Sequence, residues 1–280
     1  MAQSQTSHPV VVCWRGPESA AATGLGSALA KLVGQQLILA TAYDYEPSSL
    51  TADVSAAERS EALRELAEAA LLEAQRAADP ALQTRLEVLA AMDVPTALAD
   101  LAKEVDAAVL VFGRDRDRHH VVPAVGKRLA CPLAVAPIGA PTDPPPQLLR
   151  IGVAFDDTEA SRDALRIGRQ LASAAGGQVT MVCVDGEPGP WPASEAAGAD
   201  LGVDAEPLLL QGDVVSSLRS AAKGLDLLIC GSHGRGLIKT ALLGSVSAKL
   251  IEDCPSPLLV VPPGVGSGGG SLLGITAAAD

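Results

Sequence analysis

The sequence predicts an α/β chain of two doubly wound domains, each a five-stranded parallel sheet with helices on both faces. Three observations predict it. Short apolar runs bounded by glycine or proline alternate with stretches of helical periodicity, the pattern of strand-helix-strand units. The alternation occurs twice, before and after a proline cluster at 138–147, IGAPTDPPPQ, so the halves read as an internal repeat. The composition also suits such sheets. Of 280 residues 48% are hydrophobic and only 2% aromatic, so Ala, Val, Leu and Ile must fill strands that are buried on both faces.

The first strands are residues 10–14 and 151–155, each followed by a turn and a helical stretch. In the second half Asp157 or Thr158 can cap that helix. Its apolar positions include Ala160, Ala164, Leu165, Ile167, Leu171 and Ala172, and Gly176-Gly177 ends it. Second strands fall at 36–40 and 179–184, third at 86–89 and 208–210, and fourth at 108–112 and 227–230. Fifth strands, bounded by prolines, fall at 133–136 and 258–261. Between its second and third strands the first half carries a charged helical stretch, 56–77. The second half has GEPGPWPASEAAGAD there, which reads as an irregular loop with Trp191 either folded over a ligand or packed on the surface. The resulting domains are 1–140 and 149–263, joined by a semi-rigid proline-rich linker at 141–148 and followed by a glycine-rich, flexible tail at 264–280. Right-handed crossovers place helices on both faces, but pattern alone leaves the strand order open.

Composition excludes several functions. The net charge is −12 and the pI near 4.7, with no basic stripe, which argues against nucleic acid as a partner. Five cysteines are scattered without a C-x-x-C pair. They read as small buried side chains in a reducing compartment rather than as a metal or redox site. The N-terminal MAQSQTSHP lacks a signal-peptide core, and no apolar run approaches the roughly 20 residues that cross a membrane. The expectation is a soluble, cytoplasmic protein without a membrane partner.

The segment that speaks most directly to chemistry is Gly231-Ser-His-Gly234, followed after nine residues by Gly244-Ser245. A strand runs into a glycine loop, an apolar-periodic helix at 246–251 and the last strand. That layout presents backbone N–H groups and a helix N-terminus to an anion, usually a phosphate. Gly231, Gly234 and Gly244 permit positive φ and let a ligand approach the backbone without a Cβ in the way. Ser245 can cap the helix or offer its hydroxyl. The bland alternative is an ordinary strand-to-helix turn.

This spacing, Gly-x2-Gly-x9-Gly-Ser, resembles the ATP-binding signature of the universal stress protein family, and is neither the Walker loop nor the dinucleotide fingerprint. The resemblance covers roughly 9–263, specific in the second half and weak in the first, so the chain looks like two such domains in tandem. It implies Rossmann-like domains of strand order 3-2-1-4-5 with the ligand at the switch between strands 1 and 4. It implies ATP, with Mg²⁺, as the ligand, and pairing through the fifth strands within the chain, with a homodimer of the whole chain also open. The binding residues it implies begin with Ala154 and Asp156 at the end of strand 1, and Val184 against the adenine. The loop residues Gly231, Ser232, His233, Gly234, Arg235 and Gly236 follow, then Gly244, Ser245, Val246 and Ser247. Asp156 would face adenine and ribose, its alternative being a helix cap. His233 reads as a neighbour of phosphate rather than a catalytic group, since no partner carboxylate stands near it in sequence. Arg235 is a phosphate partner or a solvated charge.

The first half departs from the pattern. Arg15 stands where Asp156 would recur, and the loop GRDRDRHH keeps Gly113 but has Arg116 for the second glycine. Counting forward gives Gly126-Lys127 for Gly-Ser. Counting back from Pro132, which matches Pro257, gives His119-His120. The segment is seven residues shorter than its counterpart, and neither register keeps a phosphate cradle. The alternating charges read as a solvated, salt-bridged loop, with an anion site, a partner contact or a metal at His119 and His120 as alternatives. The function expected is a nucleotide-dependent regulator of the stress response, with ATP in the second domain. A slow ATPase or nucleotide-transferring enzyme, for which no base is identifiable, and a nucleotide-free scaffold are the alternatives.

Overall fold

The structure, a computed structural model, describes residues 8–44, 54–114, 121–140, 146–185, 207–232 and 243–265. The first half contains β1 (Val10–Cys13), α1 (Ala20–Val33), β2 (Leu37–Asp44), α2 (Val54–Ala77), β3 (Thr84–Ala91), α3 (Val94–Glu104), β4 (Val109–Gly113), α4 (Val121–Gly126) and β5 (Leu133–Ala136). The second contains β6 (Arg150–Ala154), α5 (Glu159–Ala175), β7 (Gln178–Asp185), β8 (Leu208–Gln211), α6 (Val214–Ala222), β9 (Leu227–Gly231), α7 (Ser245–Asp253) and β10 (Leu258–Val261).

These strands form one sheet in the order β3-β2-β1-β4-β5-β10-β9-β6-β7-β8. Each half therefore has the order 3-2-1-4-5, as expected, and every pair within a half is parallel. The halves adjoin through an antiparallel seam with Leu258 opposite Val135, Leu259 opposite Ala134 and Val260 opposite Leu133. Because the seam is antiparallel, the C-terminal strand ends of the two halves point in opposite directions, and so do the crevices at β1/β4 and β6/β9.

Side-chain alternation along the strands divides the interior into two cores. One lies under α1, α2 and α5 and takes in Ala134 and Ala136 beside Leu259 and Val261. The other lies under α3, α4, α6 and α7 and takes in Leu133 and Val135 beside Leu258 and Val260. Both cores run through the seam, and α1 touches α5 across it. The inner strands β1, β4, β5, β9 and β10 are apolar because they are buried on both faces, whereas β8 at the sheet edge is largely exposed.

Local signals set the helix ends. Thr158 caps α5 by accepting from the Ser161 N–H, and Gly176 closes it in the left-handed conformation at φ 66°. Gly34 closes α1 in the same way at φ 65°. The charged stretch is a helix, α2, with exposed Arg64 bridging Glu61 and Glu68 at one-turn spacing. β2, β3 and β7 run past their expected ends. The β2–β3 ladder continues from Leu37–Thr84 through to Asp44–Ala91, carried by backbone pairing that an apolar-run reading does not register.

Candidate functional site

β6 delivers the chain to the crevice. Phe155 turns into the core, 3% exposed, and Asp156 follows, half-buried. Asp157 takes a left-handed φ of 63° and its carboxylate accepts two bonds from Arg162, at 2.9 and 2.7 Å. Asp156 Oδ1 accepts from the Thr158 N–H at 3.2 Å and from its hydroxyl at 2.6 Å. The helix cap is thus Thr158, and the Asp156 carboxylate is held against the first turn of α5 from outside the helix.

β9 delivers the other wall. The Ser232 N–H donates to the Val261 carbonyl at 2.8 Å, and the Ser232 carbonyl accepts from the Gly244 N–H and the Ser247 hydroxyl. The start of α7 is therefore pinned to the end of β9. Gly244 stands at the helix N-cap with φ −74° and no side-chain cap. The Ser247 hydroxyl turns inward to the Gly244 carbonyl at 3.0 Å, while Ser245 is exposed. The N–H groups of the first turn, at Ser245, Val246 and Ser247, point along the axis with the positive end of the helix dipole behind them. Ala154, Val184 and Val246 lie together as half-buried residues at the margin of the core under α6 and α7.

Gly231 and Gly244 do not take positive φ. Gly231 is required by packing instead, since a Cβ there would lie 2.8 Å from Ala160 Cβ and 2.9 Å from the Ala160 carbonyl carbon. Its counterpart Gly113 likewise faces Ser19, whose Cα would be 3.3 Å from an added Cβ. Both glycines let the helix after strand 1 approach the end of strand 4. His233, Gly234, Arg235, Gly236 and Trp191 lie outside the described residues.

The electrostatics argue against thiol chemistry. Burial, helped by the nearby Asp156 charge, pushes the Cys183 thiol up to about 11. Burial also raises Cys230, with Cys254 and Asp156 adding to it. A thiol so raised is protonated at neutral pH and is neither nucleophile nor ligand. Among the described residues, no three His, Cys, Asp or Glu side chains converge as a metal site, and no helix is long and apolar enough to cross a membrane.

In the first half Trp14 fills the place of Phe155, and Arg15, at the position of Asp156, is exposed with its N–H on Ser19 Oγ. The register question resolves. Pairing of Leu110 with Leu133 and of Leu228 with Leu258 aligns the fifth strands as the proline count did. Gly126 ends α4, so the Gly126-Lys127 register, which would put that pair at the helix start, is overturned. Arg116, His119 and His120 lie outside the described residues. Arg114, the residue of RDRDRHH that the structure describes, is not a solvated charge. It is half-buried and reaches into the second half, donating from Nε to the Ile251 carbonyl at 3.1 Å and from Nη2 to the Cys254 carbonyl at 2.7 Å. The sequence held one signal of it, an arginine directly after the strand-ending glycine.

Comparison with known proteins places this geometry. The profile of the universal stress protein family matches residues 193–262. A universal stress protein from Thermus aquaticus is 39% identical over 56 residues, 19% of this chain and 41% of that protein. One from Mycobacterium tuberculosis is 33% identical over 54 residues, 19% of this chain and 17% of that protein. The alignments thus span well under half the length of these relatives. In three dimensions, the crystal structure of a universal stress protein from Archaeoglobus fulgidus matches 92% of this chain and 97% of its own, with a TM-score of 0.63 at 14% identity. The second half thus carries a match to the universal stress protein family, and the chain across nearly its full breadth shares the fold of that solved structure.

Proposed function

We propose that the second half binds ATP in the crevice between β6 and β9, and that the protein acts as a nucleotide-dependent regulator of a stress response. The observation that carries this is the start of α7. A helix N-terminus without a side-chain cap is fastened to the strand end at the topological switch point, with the Asp156 carboxylate on the other wall. Open α/β sheets bind their ligands at such switch points, and an N-terminus of this kind favours phosphate. Asp156 serves the nucleoside end as an acceptor for ribose hydroxyls or the adenine amine. Ala154, Val184 and Val246 supply apolar contact. The loop glycine Gly234, with His233 and Arg235, completes the cradle by its sequence signature. Mg²⁺ would be held chiefly by the phosphates, as that ion usually is.

The first half, lacking the signature, serves as a structural partner, with the two domains meeting through β5 and β10. Free cysteines, four of the five buried, suit a reducing, cytoplasmic setting. Titration calorimetry of the full chain with ATP and Mg²⁺ tests the proposal. It expects one site per chain, and two equivalent sites or none would overturn it.

A further inference from the structure

We propose that Arg114 is a positioning residue through which the first half controls the phosphate-binding end of α7 in the second half. The proposal rests on the nucleotide reading of that site.

α7 has nine residues, and so short a helix is marginal unless its ends are held. At its start, the Ser232 carbonyl accepts from Gly244 and Ser247. At its far end, Arg114 bonds the carbonyls of Ile251 and Cys254, and Arg219 of α6 bonds that of Lys249 at 3.0 Å. A guanidinium there satisfies last-turn carbonyls and complements the negative end of the dipole. An anion at the first turn complements the positive end. Both therefore stabilise the same helix, and order imposed at one end favours binding at the other.

The donor comes from the opposite half. Arg114 stands where the second half has Ser232. The two backbones do the same thing, Arg114 N–H bonding Ala136 at 2.9 Å and Ser232 N–H bonding Val261 at 2.8 Å. Only the side chains differ, and a serine is too short to bridge the seam. The contact is thus one-sided, made by the half without a phosphate loop on the half that has one. The seam is close-packed beside it. A Cβ on Gly126 of α4 would lie 3.5 Å from Leu243 Cδ1, just ahead of α7.

The test uses the full chain with Arg114→Met, which keeps much of the apolar stem, and Arg114→Lys, which restores a charge. Amide exchange is followed in α7 and, as a control, in α5. Binding of inorganic triphosphate, ATP and adenosine is measured with Mg²⁺. Arg114→Met should speed exchange in α7 but not in α5. It should weaken triphosphate and ATP about tenfold, within the usual range of coupling between sites, and leave adenosine unchanged, with Arg114→Lys recovering part of the loss. Unchanged exchange in α7 overturns the proposal, and so does faster exchange with undiminished triphosphate binding. Equal losses for adenosine and triphosphate mark general destabilisation and overturn it as well. If the unsubstituted chain binds neither ATP nor triphosphate, the nucleotide reading fails and takes this proposal with it. The exchange data then separate that outcome from failure of the Arg114 link.

Discussion

Gly231 and Asp156 sit on opposite walls of one crevice and answer to different forces. The Cβ that Gly231 lacks would overlap the backbone of α5 at Ala160, so Gly231→Ala should act on stability. Overpacking at a site that cannot yield costs about 1–3 kcal/mol. Urea unfolding should show a loss of that order, and an unchanged midpoint would mean that α5 is free to retreat. Asp156 is anchored by Thr158 and faces the proposed nucleoside site. Asp156→Ala should weaken ATP by about 1–3 kcal/mol, the usual loss for a hydrogen bond to a charged group. Inorganic triphosphate should bind nearly as before, and equal losses for both ligands would place the aspartate at the phosphates instead.

Strand ends are held by side chains as well as by ladders. Asp226, just before β9, accepts from the N–H groups of Leu149 and Arg150 at 3.1 and 2.8 Å and from Arg150 Nη2 at 2.7 Å, tying the start of β6 to the start of β9. Burial alone would raise this carboxyl, but the bonds from Arg150 and Leu149 outweigh it and hold the group below its ordinary value. A depressed carboxylate contributes stability that is fully present above its unfolded-state pKa, about 4, and is lost as pH falls through the folded value. Asp226→Asn should therefore cost about 1–3 kcal/mol near neutral pH, as for other hydrogen bonds to charged groups. The gap to the unsubstituted chain should close on acidification. Unfolding curves across a pH series would show this, and a gap constant with pH would mean that the pair contributes by shape rather than charge.

For the whole molecule the seam matters most. Leu258, Leu259, Val260 and Val261 are all at most 2% exposed, and β10 gains that cover on one edge from β5. Without it the second half would present an apolar strand with unpaired N–H and C=O groups, a template for association. Residues 146–265 expressed alone should self-associate or aggregate, as sedimentation would report. A stable, soluble monomer of that piece would show that β10 needs no partner and that the first half is not a structural necessity.

The sequence by itself determined the parts that depend on near neighbours. Apolar runs between breakers marked the ten strands of the described residues, most plainly the inner ones, where burial on both faces leaves little choice of residue. Thr158 and Gly176 were legible as helix ends, because a cap bonds within one turn of itself. The signature around Gly231 and Gly244 pointed to the crevice. The reasons behind particular residues were decided only by the tertiary structure. Gly231 is a glycine because of Ala160, 71 residues away, and not because of its own φ. Arg114 bonds carbonyls 137 and 140 residues along the chain. The first-half register, ambiguous by counting, was settled by which strands pair. Contacts of this kind form when the sheet assembles, and no local spacing records them.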